Sequence, residues 1–152
     1  MIKLKNIEGK VSLSIEVVGY QFPESEKDDW CLLKVQVEQD NDSIELIDPA
    51  IETTELAQLL LWVSSLSEGR LPRYAHLTFI EPCISFNFLS FKDDIVRISI
   101  TLSHELKPNF PLIQFGNESS EWCIVFELNE NQFTNIRNGI KSTLERYPIR
   151  GS

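Results

Sequence analysis

The sequence is poor in the residues that most enzyme active sites and metal sites use. It contains two histidines, His76 and His104, and three cysteines that stand far apart with no Cys-x-x-Cys pair among them. A catalytic nucleophile usually needs a histidine base within reach, and a zinc site usually draws on closely spaced cysteines and histidines. We therefore expect reduced, core-packed cysteines, no catalytic residue, no metal site and no cofactor.

Stretches that begin like catalytic or metal-binding motifs do not complete them. His104-Glu105 starts like the zinc motif H-E-x-x-H, but Pro108 stands at the second histidine position and excludes the helix that the motif needs. Residues 40–42 start like a calcium loop, but Ile44 stands at the third ligand position. A glycine-rich phosphate loop and a G-x-S-x-G elbow are missing as well. These patterns favour a protein that is not an enzyme.

Long hydrophobic segments are also missing. The longest apolar run covers residues 59–63, whereas a helix needs about 20 apolar residues to cross a bilayer. The first six residues interrupt their apolar positions with charge, unlike a signal peptide. With 42% hydrophobic and 24% charged residues, the 152-residue chain has the composition of an ordinary globular domain. We expect one domain over residues 1–152 that is soluble and cytoplasmic, with no membrane partner.

The net charge of -9 is unevenly distributed along the chain. Between Gln21 and Leu60, eleven acidic residues accompany two basic ones, while acids and bases balance in the remainder. An acidic face repels nucleic-acid backbones and attracts basic surfaces. We therefore expect no direct nucleic-acid binding and a basic protein partner. Solubility alone would explain the same charge, and that alternative stays open.

Alternating apolar and polar residues predict strands in the first fifty residues. Ranges 11–17 and 33–37 each show a period of two. The turn-forming residues 40–43 join the second strand to a short strand over 44–47. Asp48-Pro49 closes this hairpin.

Two later segments change to helical spacing. The apolar residues after Thr53 fall on one face of a helix that Thr53 or Thr54 caps and Gly69 ends. Residues 129–132 resemble a capping box and open a second amphipathic helix, which Pro148 ends.

The rest of the chain predicts further strands and one irregular loop. The strands are expected at 76–80, 84–91, 95–103 and 121–128, and the loop at 107–120. Within the loop, Leu112, Ile113 and Phe115 are expected to contact the core. Strands with short connections pair antiparallel, and amphipathic helices need a surface to cover. The predicted fold class is α+β, a curved antiparallel β-sheet with two amphipathic helices packed on it.

Residues suited to contact with another protein follow the first long strand. The stretch 23–29 is the most acidic of the sequence and is costly to bury. Large aromatic side chains beside acids can anchor a protein partner, and those near loops or strand ends are expected to be exposed. The predicted partner-binding residues are Phe22, Glu24, Glu26, Asp28, Asp29, Trp30 and Phe110. A loop that is merely solvated is the alternative.

The order of several short motifs carries a family resemblance. They are Gly19-Tyr20-Gln21-Phe22-Pro23, the acidic stretch with Trp30, Asp48-Pro49 before a leucine-rich helix with Trp62, Phe79-Ile80-Glu81-Pro82 before Ile84-Ser85-Phe86, and Tyr147-Pro148-Ile149-Arg150. In this order, over nearly the whole chain, they resemble the WapI-type immunity proteins of bacterial polymorphic toxin systems. The resemblance implies a cytoplasmic protein that binds and blocks the toxic C-terminal domain, often a nuclease, of a cognate contact-delivered toxin. No catalytic residue carries over.

Two other functions stay open. A small-ligand-binding or scaffold module without catalytic activity would use the aromatic residues to line a pocket. An enzyme would need an isolated carboxylate such as Glu81. The sequence patterns favour neither a monomer nor a dimer.

Overall fold

Backbone pairing in the computed structural model, which describes residues 1–150, divides the strands into two four-stranded antiparallel sheets and a two-stranded ribbon. The first sheet contains, in spatial order, β1 (Ile2–Lys5), β2 (Val11–Tyr20), β3 (Trp30–Gln39) and β4 (Asp42–Glu52). The second contains β5 (His76–Leu77), β6 (Ile84–Lys92), β7 (Ile95–Leu102) and β10 (Trp122–Leu128), in the order β10-β7-β6-β5. The ribbon pairs β8 (Leu112–Gln114) with β9 (Asn117–Ser119). The helices are α1 (Thr53–Ser67), α2 (Glu130–Arg146) and a short 3-10 helix, His104–Leu106.

The apolar side chains of the alternating strands form the core, as their period of two predicts. On β2, Val11, Leu13 and Ile15 are at most 1% exposed, while the serines between them are partly exposed. The same alternation holds on β3 and on β10. Buried side chains of both sheets and both helices join in one hydrophobic cluster. The α+β fold class is confirmed, but the strands form two four-stranded sheets and a two-stranded ribbon instead of the single curved sheet expected.

The N-cap of helix α1 lies one residue before Thr53 and two before Thr54, the two caps expected for it. Glu52 is the N-cap residue, and its backbone N–H donates to Oε1 of Glu55 at 2.9 Å. The other oxygen of Glu55 accepts from the backbone N–H of Ile80 at 2.9 Å. Thr53 is fully buried and does not cap the helix with its side chain. Gly69 follows the helix in the left-handed conformation, with φ of 74°, as expected of a terminating glycine.

Helix α2 has the predicted capping box. The backbone N–H of Gln132 donates to Oδ1 of Asn129 at 3.0 Å, and the backbone N–H of Asn129 donates to Oε1 of Gln132 at 2.8 Å. The helix packs against α1 and contacts β1 and β10. Gly139 permits this approach, because a Cβ there would lie 2.2 Å from the backbone oxygen of Met1.

Several elements differ from the sequence-based expectation. Strand β4 continues through Asp48-Pro49 to Glu52. A bulge opposite residues 31–33 shifts the register, so Pro49, which has no backbone N–H, does not have to donate a hydrogen bond to β3. Strand β5 is only two residues long. The stretch 107–120, expected to be irregular, contains the β8–β9 ribbon. No helix in residues 1–150 is long and apolar enough to cross a membrane.

Candidate partner-binding surface

The loop between β2 and β3, residues 21–29, is named here the acidic loop. Its base is closed by the backbone N–H of Gln21, which donates to the carbonyl of Trp30 at 2.8 Å. A turn within it brings the N–H of Ser25 to 3.1 Å from the carbonyl oxygen of Phe22. The hydroxyl oxygen of Ser25 in turn accepts from the backbone N–H of Asp28 at 3.2 Å. Local hydrogen bonds therefore give the loop a defined shape.

The structure separates the predicted loop residues into exposed and structural ones. Phe22 is 51% exposed, and Glu24 and Glu26 are exposed beside it. Asp28 holds the loop, since its Oδ1 accepts from the backbone N–H of Trp30 at 2.9 Å. Asp29 is only 9% exposed and accepts from the backbone N–H of Arg150. Of the predicted residues in this loop, Phe22, Glu24 and Glu26 are thus the exposed ones, and Pro23 and Lys27 are exposed beside them.

Residues 147–150, which follow α2, lie against the base of the acidic loop. The Arg150 guanidinium stacks 3.9 Å above the ring of Tyr20 and donates to the Phe22 carbonyl at 3.1 Å. The Tyr20 hydroxyl donates to the Pro148 carbonyl, and its ring meets Tyr147 edge-on at 5.4 Å. Burial raises the pKa of Tyr20, so this hydroxyl is protonated at neutral pH. An open cleft of about 380 Å³ lies between this segment and the loop.

Trp30 and Phe110 are less exposed than expected. Trp30 is half-buried as the first residue of β3. Phe110 is also half-buried, with its ring edge-on to Trp122 at 5.5 Å, because the indole N–H of Trp122 donates to the Phe110 carbonyl. The next carbonyl, of Pro111, accepts from the side chain of Gln39 at the far end of β3. Ten strand residues separate that end from the acidic loop, a distance of about 30 Å. The structure therefore does not bring Phe110 to the loop.

The acidic residues of the 21–60 segment do not form the single face that their sequence position suggests. Exposed carboxylates occur both on the acidic loop and at the opposite tip of the β3–β4 hairpin, at Glu38, Asp40 and Asp42. Between the two groups, Lys34 pairs with Glu16 at 2.9 Å. The Lys34 hydrogen bond lowers the pKa of Glu16. The hairpin therefore has acidic residues at both ends, and in its middle Lys34 offsets part of the charge of Glu16 and Glu45.

A second exposed surface adjoins the hairpin tip and was missed by sequence reasoning. Phe115 and Ile113, expected in the core, are 52% and 41% exposed on the β8–β9 ribbon, and only Leu112 is buried. Phe115 and Gly116 both have positive φ, as the central residues of a tight hairpin turn do. Gly116-Asn117 is the signal that could have predicted this turn.

The described residues do not assemble a nucleophile and base. Cys83 is buried, and burial followed by the hydrogen bond to Glu105 raises the pKa of its thiol to about 12. A catalytic cysteine needs the opposite shift. His76 is exposed and contacts Oδ1 of Asn87 on the neighbouring strand. Glu81, the isolated carboxylate considered above, is exposed rather than enclosed in a cleft.

One group of side chains could hold a metal ion. It consists of Asp48, Cys83 and Glu105, whose ligand atoms all lie within 4.8 Å of one another. The Cys83 sulfur is 3.3 Å from Oε2 of Glu105 and 3.7 Å from Oδ2 of Asp48. Burial, and then the charge of Glu105, raise the pKa of Asp48. These three residues lie apart in sequence and meet only in the folded chain.

The chain matches a known protein family along nearly its whole length. A family model described as the immunity protein WapI-like family matches residues 3–148. The chain belongs to the WapI-like immunity protein family. No curated protein and no solved structure matches the chain. Membership confirms the resemblance seen in the ordered motifs and gives the protein an immunity role, with a cognate toxin protein as its partner.

In this WapI-like immunity protein, the acidic loop is an exposed surface with a defined backbone. Its own side chains and Arg150 hold the backbone, while Phe22, Glu24 and Glu26 are exposed to solvent. A preorganised loop loses little conformational freedom on binding, which favours affinity.

Proposed function

We propose that this protein neutralises the toxic C-terminal domain of a cognate polymorphic toxin by binding it one to one and occluding its active site in the cytoplasm. The observation that carries the proposal is the family match, which spans residues 3–148 and so involves the whole fold rather than one motif. The raised thiol pKa of Cys83 and the exposure of both histidines agree with inhibition by contact rather than by catalysis.

The charge of the chain supports a nuclease as the toxin domain. Nucleases bind phosphate backbones through basic grooves, and a protein with a net charge of -9 is electrostatically complementary to such a groove. Complementary charge increases the association rate and disfavours wrong partners. A contact-delivered nuclease acts on cellular nucleic acid, so fast association would protect the cell.

The proposed interface centres on the acidic loop. Phe22 is the apolar anchor, and Glu24 and Glu26 supply the charge around it. Asp28 and Asp29 contribute through the shape of the loop, because their carboxylates hold backbone N–H groups. Trp30 supports the loop at its base, and Phe110 belongs to the opposite end of the hairpin.

Charge reversal tests this interface. The double variant Glu24→Lys/Glu26→Lys is expected to weaken binding to the toxin domain about tenfold or more at low salt, since two attractive contacts become repulsive. The loss should diminish as ionic strength rises, because salt screens exposed charges. Calorimetric titration at two salt concentrations measures both effects.

A matched control separates local contact from overall charge. Glu38→Lys/Asp42→Lys makes the same change of net charge at the other end of the same hairpin, where both side chains are exposed. The proposal expects near-normal affinity for this control. Equal weakening by both variants, or weakening by the control alone, would remove the acidic loop as the interface.

A groove beside α1 favours the second candidate, a ligand-binding or scaffold module. It has a volume of about 440 Å³ and is lined mainly by apolar side chains, among them Leu61, Trp62, Tyr74 and Leu77. The Trp62 side chain is fixed there by a hydrogen bond of 2.9 Å to the Tyr74 carbonyl. Thermal stabilisation by a small aromatic compound that is lost in Tyr74→Ala would support this function.

A further inference from the structure

Asp48, Cys83 and Glu105 come from three separate segments that the fold holds together. Asp48 lies on β4 beside the bulge, Cys83 precedes β6, and Glu105 lies on the short 3-10 helix. The backbone carbonyl of Cys83 accepts from the N–H of Ser103 at 2.8 Å, which holds the backbone of Cys83 beside the segment that carries Glu105. Cys83 is fully buried, whereas Glu105 reaches solvent.

The separations between these atoms fit a tetrahedral metal site. With the usual Zn–S and Zn–O bond lengths, a sulfur and an oxygen bound to one Zn²⁺ ion lie about 3.6 Å apart. The Cys83 sulfur lies 3.3 Å and 3.7 Å from the two carboxylate oxygens. The Asp48 and Glu105 oxygens lie within 4.8 Å of each other, against about 3.4 Å in a tetrahedron. Rotation of the exposed Glu105 side chain can close that difference.

The carboxylates of Asp48 and Glu105 give the cluster negative charge, and His104 beside Glu105 acts on that carboxylate electrostatically. Within residues 1–150, the ion pairs of Lys34, Arg70 and Arg97 involve neither Asp48 nor Glu105. Glu81 is close enough to Asp48 to act on it electrostatically and adds charge of the same sign. A divalent cation between the carboxylates would offset this repulsion.

We propose that Asp48, Cys83 and Glu105 bind one Zn²⁺ ion, with water at the fourth position on the solvent side. The thiol selects zinc over Ca²⁺ and Mg²⁺, which take oxygen ligands. Binding breaks the S–H bond of Cys83, forms a Zn–thiolate bond and releases the proton to the buffer. The ion joins β4, the segment before β6 and the 3-10 helix, and so stabilises the fold against unfolding.

Cobalt substitution tests the site in the full chain. The reduced protein is treated with a chelator, dialysed and titrated with Co²⁺, which reports thiolate ligation through a charge-transfer absorption that Zn²⁺ lacks. The proposal expects this absorption to saturate at one equivalent and to disappear when Zn²⁺ is added. Cys83→Ser is expected to abolish it, and Cys123→Ser, a change at a partly buried cysteine on β10, is expected to keep it. An unliganded thiol in wild type, or a thiolate band that survives in Cys83→Ser, overturns the proposal.

A second variant avoids any change to the core. Glu105→Gln alters an exposed side chain and is expected to weaken Zn²⁺ binding at least about tenfold in calorimetry, as loss of a ligand does. Glu118→Gln, an exposed change on β9, is the matched control and should bind like wild type. Equal Zn²⁺ affinity in Glu105→Gln and wild type would contradict the assignment. Neither experiment involves the toxin, so its result is independent of the proposed function.

Discussion

Arg150 is the residue that connects the C-terminal segment to the acidic loop. Its guanidinium stacks on Tyr20 and donates to the Phe22 carbonyl, and its backbone N–H donates to the carboxylate of Asp29. Arg150 is far from residues 21–60 in the sequence, so a charge count over that segment leaves it out. In the folded chain, Arg150 lies beside the acidic loop and reduces the local negative charge. A small number of long-range contacts therefore decides which loop carboxylates remain exposed.

Arg150→Ala tests this connection. The substitution removes a stacked cation, worth about 0.5–1 kcal/mol, and a hydrogen bond that the loop backbone accepts. We expect the free energy of unfolding to fall by about 1 kcal/mol and affinity for the toxin domain to fall as well, because the loop is less preorganised. Urea denaturation and calorimetry measure the two effects.

Arg146→Ala is the matched control for that prediction. Arg146 also stacks on a tyrosine, with its Cζ 5.6 Å from the Tyr147 ring centre, but it is exposed on α2. Its replacement should leave toxin affinity unchanged. If Arg150→Ala and Arg146→Ala behaved alike, the contacts of Arg150 with the loop would not matter for binding.

At the scale of elements, sequence patterns predicted the features that depend only on residues close together in the chain. The alternation on β2 and the capping box of α2 depend on neighbouring residues, and both are confirmed. The continuation of β4 past Pro49 depends on a bulge that pairing with β3 creates, and the exposure of Phe115 depends on where the β8–β9 ribbon lies. Such features require tertiary contacts. The meeting of Asp48 with Cys83 and Glu105 likewise joins distant segments, which spacing motifs do not detect.

Gly139→Ala is expected to destabilise the protein, whereas most Gly→Ala changes inside helices stabilise it. Gly→Ala inside a helix normally stabilises by about 1 kcal/mol. Here the added Cβ would lie 2.2 Å from the backbone oxygen of Met1, so α2 or β1 must shift, at a cost of about 1–3 kcal/mol. We expect Gly139→Ala to lower the free energy of unfolding, as measured by urea denaturation.

The neighbouring position supplies the control for Gly139→Ala. Asn138 is exposed on the same helix, so Asn138→Ala should follow helix propensity and stabilise the protein slightly. Stabilisation by both substitutions would show that α2 does not lie as close to Met1 as the fold places it.

At the scale of the whole molecule, both four-stranded sheets and both long helices contribute side chains to one hydrophobic core. Binding to a partner therefore depends on the exposed residues. Folding distributes the acids of the 21–60 segment between the two ends of the β3–β4 hairpin. The acidic loop is the end that combines exposed charge with an exposed aromatic anchor at Phe22 and a hydrogen-bonded backbone. Under the proposed function, this exposed charge would complement a basic surface on the toxin domain.

The most direct test of the immunity account is a titration of toxin activity. The toxic C-terminal domain of the cognate toxin, proposed above to be a nuclease, is held at a concentration far above the expected dissociation constant, and cleavage of nucleic acid is measured as the protein is added. The account predicts a linear fall in activity that reaches zero at one equivalent. Full activity of the toxin domain in the presence of excess folded protein would contradict it.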